Sequence, residues 1–102
     1  LGVTSPHRLP ALPDVPAIAD TVPGFESSAW FGLFGPAKLP ADISRAWSEA
    51  ARAAVQSPEV RRRIEAEGAT VVGNSPQDFS RFVVADIARW REVVKFSGAK
   101  PE

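Results

Sequence analysis

Apolar residues crowd most tightly into one short run, Ala29-Trp30-Phe31-Gly32-Leu33-Phe34, within the stretch Pro23 to Pro40. The run has no polar gap, and Gly35-Pro36 closes it. A short apolar run without a polar face, bounded by turn residues, predicts a strand buried on both faces. Leu1-Gly2-Val3-Thr4 and Thr70-Val71-Val72 are shorter β-like runs and its expected neighbours.

After Pro40 the apolar period becomes helical. Pro40-Ala41-Asp42 opens a helix with Pro in the first turn and an acid near its positive end. Ile43, Ala46, Trp47, Ala50, Ala54 and Val55 mark its expected inner face, with Arg45, Glu49 and Arg52 pointing away. Ser57-Pro58-Glu59 starts a second helix, which carries Val60 and Ile64 inward and stops at Gly68. Ser75-Pro76-Gln77-Asp78 starts a third, resembling a capping box with Asp in place of Glu. This helix is the longest, about Pro76 to Ser97, with Phe79, Phe82, Val83, Ile87, Trp90 and Val94 as its stripe. Gly98 ends it, and Pro101 prevents its resumption.

The segment before the apolar run is different. Ser5 to Pro16 holds four prolines in twelve residues, so neither a helix nor a central strand fits it. Leu9, Leu12 and Val15 punctuate it, which predicts an ordered extended loop. Pro16 then opens a single helical turn, Ala17 to Thr21. The expected class is α/β, helix-rich, with a few strands covered by three helices. The expected organisation is a single domain over residues 1–102, with a strand at 1–5, a proline-rich loop at 6–24, and the core and C-terminal helices at 25–102.

Composition narrows the function classes. The 102 residues carry twelve basic and twelve acidic side chains, so charge gives no argument for nucleic acid or an anionic membrane as partner. No run approaches the roughly 20 apolar residues of a membrane span. Cysteine is absent, which removes disulfides, thiolate metal sites and Cys nucleophiles. The opening Leu-Gly-Val-Thr reads as a cut inside a longer protein, because natural termini are usually polar and loose.

Candidate chemistry is sparse. His7 is the only histidine and reads as a solvated loop residue. Asp14, in Leu-Pro-Asp-Val-Pro, is a possible general base, but an Asp before a Pro-started turn more often accepts from local backbone amides. Arg61-Arg62-Arg63 lies among Glu59, Glu65 and Glu67, which predicts exposed pairs of Arg61 with Glu65 and Arg63 with Glu67. Asp86 flanks the apolar stripe of the last helix. Trp47 and Trp90 fit core packing, whereas Trp30 follows the polar Glu26-Ser27-Ser28 and is free to face solvent or ligand. Ser27 and Ser28 have no visible base. No phosphate loop, HExxH or GxSxG is present, so nothing argues for an enzyme or a cofactor.

The ordered set Val3-Thr4-Ser5, Arg8, Leu12-Pro13-Asp14-Val15-Pro16, Pro23-Gly24-Phe25 and Ser28-Ala29-Trp30-Phe31-Gly32-Leu33 resembles the C-terminal region of the TctC/Bug family. Ser57-Pro58-Glu59-Val60, Gly68-Ala69, Val72-Gly73, Ser75-Pro76 with Phe79, and the Trp90 to Gly98 ending continue the resemblance over essentially the whole chain. The resemblance implies part of a lobe of a type II periplasmic-binding-protein-like receptor for a tripartite tricarboxylate transporter. Its implied partners are a small carboxylate (dicarboxylate, tricarboxylate or acidic amino acid), the membrane permease and a missing N-terminal lobe segment. Its implied location is periplasmic. Residues 1–5 would be the hinge strand, and exposed apolar surface would favour self-association. The family commonly has Val-Pro-Thr where this chain has Val15-Pro16-Ala17, and Thr-Pro where it has Leu39-Pro40, so two hydroxyl caps are lost. The implied ligand-lining positions are Thr4, Ser5 and the loop from Asp14 to Ala17. The alternative is a free-standing small α/β interaction or regulatory module.

Overall fold

The computed structural model describes residues 1–100; the expectation for Pro101 lies outside them. The chain divides into two compact units, Leu1–Val72 and the residues from Gly73 onward.

Three α-helices and one helical turn form among the described residues. The turn is Ile18–Asp20, where Pro16 was expected to open one. Helix α1 spans Ala41–Gln56, α2 spans Pro58–Ala66 and α3 spans Pro76–Ser97. Of the expected caps, Ser75 accepts the Asp78 N–H at the start of α3, whereas Ser57 precedes α2 without capping it, its hydroxyl donating to Ala54 O at 2.8 Å, and Pro40 stands at the N-cap of α1 and not in its first turn. Pro58 and Pro76 sit in first turns, where a missing N–H costs nothing. Helix α2 ends in a Schellman arrangement: Gly68 N–H donates to Glu65 O at 3.0 Å and Ala69 N–H to Ile64 O at 3.2 Å. Gly68 has φ +76°, the left-handed conformation this ending requires. Gly98 ends α3 in the same region, at φ +69°.

The expected helix-rich character is found, with three helices, while no strand of the expected α/β class forms among the described residues. Of the expected strand Leu1–Thr4, only an isolated parallel bridge between Val3 and Ala17 appears. Residues 70–72 form no strand either, and Val72 is exposed. The Ala29–Phe34 run is not buried: Phe31 is 99% exposed, Leu33 74% and Phe34 70%. A strand needs neighbours to complete its hydrogen-bond ladder. Phe31, Gly32 and Leu33 make no backbone hydrogen bond within the described chain. Trp30 and Phe34 do contact each other, with ring centroids 6.4 Å apart.

The helix faces are also redistributed. Helices α1 and α2 contact each other. The half-buried stripe of α1 is Ser44, Ser48, Ala51 and Val55. Ile43, Ala46, Trp47, Ala50 and Ala54 form the adjacent apolar stripe, and all five are exposed, Trp47 by 66%. Of the expected inner face, Val55 alone is half-buried. On α2, Val60 and Ile64 are half-buried as their spacing predicts. Arg61 pairs with Glu65 at 3.8 Å, but Arg63 turns back to Glu59 at 3.2 Å instead of forward to Glu67. Glu67 is the C-cap and has already left helical geometry, and an acid N-terminal to its basic partner suits the helix dipole.

In α3, the half-buried positions are Phe79, Val83 and Asp86, while Phe82, Ile87, Trp90 and Val94 are exposed. Trp47 and Trp90 are therefore not core residues of this chain. Asp86 is paired with Arg89 at 2.7 Å. Ala17 is the one buried hydrophobic among the described residues.

Candidate functional site

Of the expected ligand-lining residues, Thr4 and Ala17 take part in a small hydrogen-bonded node in the first unit. Val3 N–H donates to Pro16 O at 2.9 Å, and Ile18 N–H donates to Val3 O at 3.0 Å. On the next residue, Thr4 O accepts from Ser27 N–H at 3.0 Å. The Leu1–Thr4 segment is thus tied to Pro16–Ile18 and to Ser27. Gly2 makes the close approach possible: a Cβ there would lie 3.1 Å from Ile18 Cγ1 and 3.2 Å from the Pro16 carbonyl oxygen.

The proline-rich loop is ordered by turns, where an extended course was expected. Leu12 N–H donates to Leu9 O at 2.9 Å, and Val15 N–H to Leu12 O at 3.1 Å. Arg8 and Asp20 then tie the loop to the helical turn. Arg8 Nε and Nη2 each lie 3.5 Å from Asp20 Oδ2, and Arg8 Nη1 donates to Pro13 O at 3.5 Å. The same Asp20 oxygen accepts from Ala17 N–H at 3.3 Å. Ala17 has no hydroxyl to cap the turn, so Asp20, three residues on, supplies the side-chain half of a capping box. Asp20 is not among the candidate residues above; its signal in the sequence is an acid three residues after Ala17, within the expected turn Ala17 to Thr21.

Among the four candidate residues the environments differ. Thr4 is exposed and Ser5 half-buried, and their two N–H groups make no hydrogen bond within the described chain. Ser5 Oγ donates to His7 O at 2.8 Å. Adjacent backbone donors of this kind are what a carboxylate or phosphate oxygen takes. Ala17 lies on the node but is 2% exposed, and its N–H is taken by Asp20. Asp14 is exposed and makes none of the local hydrogen bonds expected of it. His7 is exposed.

The second unit holds a different polar cluster. At the start of α3, Ser75 Oγ accepts from Asp78 N–H at 3.1 Å and donates to Asp78 Oδ2 at 2.7 Å. Arg81 also donates to Asp78. The Ser75 hydroxyl first, and Arg81 second, hold the Asp78 carboxyl below the usual carboxylate range. A shallow open depression beside it is lined by Pro76, Gln77, Ser80 and Arg81. No group of three or more His, Cys, Asp or Glu capable of holding a metal occurs among the described residues. No helix among the described residues is long and apolar enough to cross a membrane.

The model of the family described as "Tripartite tricarboxylate transporter family receptor" matches residues 1–99. A protein of Pseudomonas knackmussii, described as "UPF0065 protein in clcB-clcD intergenic region", is 34% identical over 96 residues, covering 92% of this chain and 57% of that protein. Protein BugT of Bordetella pertussis is 33% identical over 101 residues, covering 98% of this chain and 31% of BugT. The solved structure of the periplasmic binding protein BugD has a similar fold, with a TM-score of 0.88 and 28% identity. The similarity covers 99% of this chain and 35% of the BugD chain. The chain therefore spans about a third of BugT and BugD, and little more than half of the Pseudomonas protein.

Proposed function

We propose that this chain, which belongs to the tripartite tricarboxylate transporter receptor family, is part of an extracytoplasmic solute-binding receptor. The full receptor captures a small carboxylate, such as a dicarboxylate, a tricarboxylate or an acidic amino acid, between two lobes. Closure of the lobes shifts it from an open to a closed population, and it delivers the solute to the membrane permease of its transporter. The observation that carries this reading is the fold similarity to BugD over nearly the entire chain, joined to the family match over residues 1–99.

The role is binding, not catalysis. Within this chain, Thr4 and Ser5 present adjacent unpaired N–H groups beside the node that ties Leu1–Thr4 to Pro16–Ile18. These donors suit one end of a carboxylate. Asp14 and Ala17 would contribute as the wall of the same loop, Ala17 through its place on the bridge.

A thermal-shift screen against small carboxylates tests the reading, run on the 102-residue chain and on the chain extended as its gene encodes. A shift confined to the extended chain is the expected result. A reproducible shift in the 102-residue chain alone would move the site wholly into residues 4–17. No shift in either would overturn the carboxylate assignment.

A further inference from the structure

We propose that Lys38 is a charge guard: its ammonium keeps copies of this chain from pairing along the uncharged run Ala29 to Phe34, and the strained backbone beneath it serves the same end. The inference stands apart from what the receptor binds. It concerns the run whenever that run is uncovered, as it is in this chain.

Three separate observations converge on this side chain. First, Lys38 has φ +65° and is the one non-glycine residue with positive φ among the described residues. Glycine occupies that region without strain, and Asn, Asp and His are its usual substitutes, so the turn by itself does not call for lysine. Second, Lys38 is the sole charge between Ser27 and Ala41. It is exposed, and its ammonium makes no ion pair or hydrogen bond among the described residues, so the charge does not hold the fold together. Third, the run just before it is one that needs a guard. Ala29 to Phe34 has three aromatic residues and neither charge nor proline. Phe31 and Leu33 are 99% and 74% exposed, and the backbone of Phe31, Gly32 and Leu33 has donors and acceptors to give. Such windows stack on copies of themselves, and natural chains oppose this with charges at their flanks, lysine above all.

The conformation of Lys38 makes the guard effective. Glu26 flanks the other end of the run, six residues before Gly32, as Lys38 stands six after it. In a fully extended antiparallel pair centred on Gly32, each Lys38 would face the Glu26 of the other copy, and the two charges would favour pairing. The turn prevents this alignment. Leu39 N–H donates to Pro36 O at 3.3 Å, so the chain leaves its extended course at Pro36 and Lys38 stands off the line of the run. Parallel copies, in contrast, stack each lysine on its own counterpart, with a repeat of about 4.8 Å. The turn therefore withholds the attractive arrangement and leaves the repulsive one.

Sedimentation velocity of the 102-residue chain at low salt tests this, with circular dichroism to follow helix content and thermal unfolding. Lys38→Gly and Lys38→Asn remove the charge and tolerate the left-handed turn; Lys38→Asp tolerates the turn and keeps a charge. The first two are expected to raise the self-association constant about fivefold, with the midpoint of unfolding unchanged or higher. Lys38→Asp is expected to associate no more than the unaltered chain. In about 1 M salt, where the Debye length is about 3 Å, the gap between Lys38→Gly and the unaltered chain should close. Adding Phe31→Asp to Lys38→Gly should abolish the gain. Association of Lys38→Gly and Lys38→Asn at the level of the unaltered chain overturns the proposal. So does Lys38→Asp associating as they do, which would assign the lysine some role other than its charge. A lower unfolding midpoint in Lys38→Gly overturns it in favour of a lysine that supports the turn, and a gain that survives Phe31→Asp removes the run as the surface being guarded.

Discussion

The carboxylate of Asp20 accepts the backbone N–H of Ala17 at 3.3 Å, and Ala17 is the one buried hydrophobic among the described residues. This contact lets the chain keep its helical turn at Ile18–Asp20 without a hydroxyl at the capping position.

Asp20 and Arg8 are consequently unequal partners. Asp20→Ala leaves a part-buried amide without an acceptor and should cost about 1–2 kcal/mol. Arg8→Ala removes an exposed pair at 3.5 Å and should cost no more than about 0.5 kcal/mol. Denaturant unfolding of the two variants measures the difference; equal costs would mean that the ion pair, and not the amide contact, holds the turn.

Asp78 gives the N-terminus of α3 a pH dependence. Its folded-state pKa is lowered by the Ser75 hydroxyl first and Arg81 second. A lowered carboxylate pKa contributes stability above the unfolded value, and that contribution is lost as pH falls through the folded value. The helix start should therefore fray only in acid, below the ordinary aspartate value of about 4. Ser75→Ala should move the Asp78 titration up toward that value. Carbon-detected NMR titration of the carboxyl in both chains reads the shift directly, and an unmoved titration would remove Ser75 as the cause.

Two backbone positions should respond in opposite directions. Gly68 has φ +76° and open space where a Cβ would project, so Gly68→Ala meets only backbone strain. It should destabilise α2 by about 1 kcal/mol. Lys38 already bears such strain, with φ +65° in the turn before α1. Lys38→Gly should recover up to about 1 kcal/mol. Thermal unfolding followed at the helix band compares them, and the same sign for both would contradict the assigned conformations.

Trp47 tests which face of α1 is open. A buried tryptophan replaced by Ala costs about 3–5 kcal/mol. At 66% exposure, Trp47→Ala should cost under about 1 kcal/mol in the 102-residue chain. Its emission in that chain should be red-shifted and readily quenched by iodide. A large stability loss would show that this face is covered after all.

Local rules account for what was legible in the sequence. Pro58 and Pro76 in first turns, Gly68 and Gly98 past the ends and the 3.6-residue period act within a few residues, and they placed all three helices. The family was legible for a related reason, because an ordered series of turns and caps along the chain is itself a signature. The same sequence could not say which apolar face finds a partner. Ala29–Phe34 has the composition of a central strand, yet its segment Phe31-Gly32-Leu33 makes no ladder bond, because a strand is completed by distant backbone and not by its own residues. Likewise Ile43 and Trp47 form a proper helical stripe, but Ser44, Ser48, Ala51 and Val55 are the residues half-covered in the structure. Periodicity defines a face; only tertiary contact decides whether that face is buried.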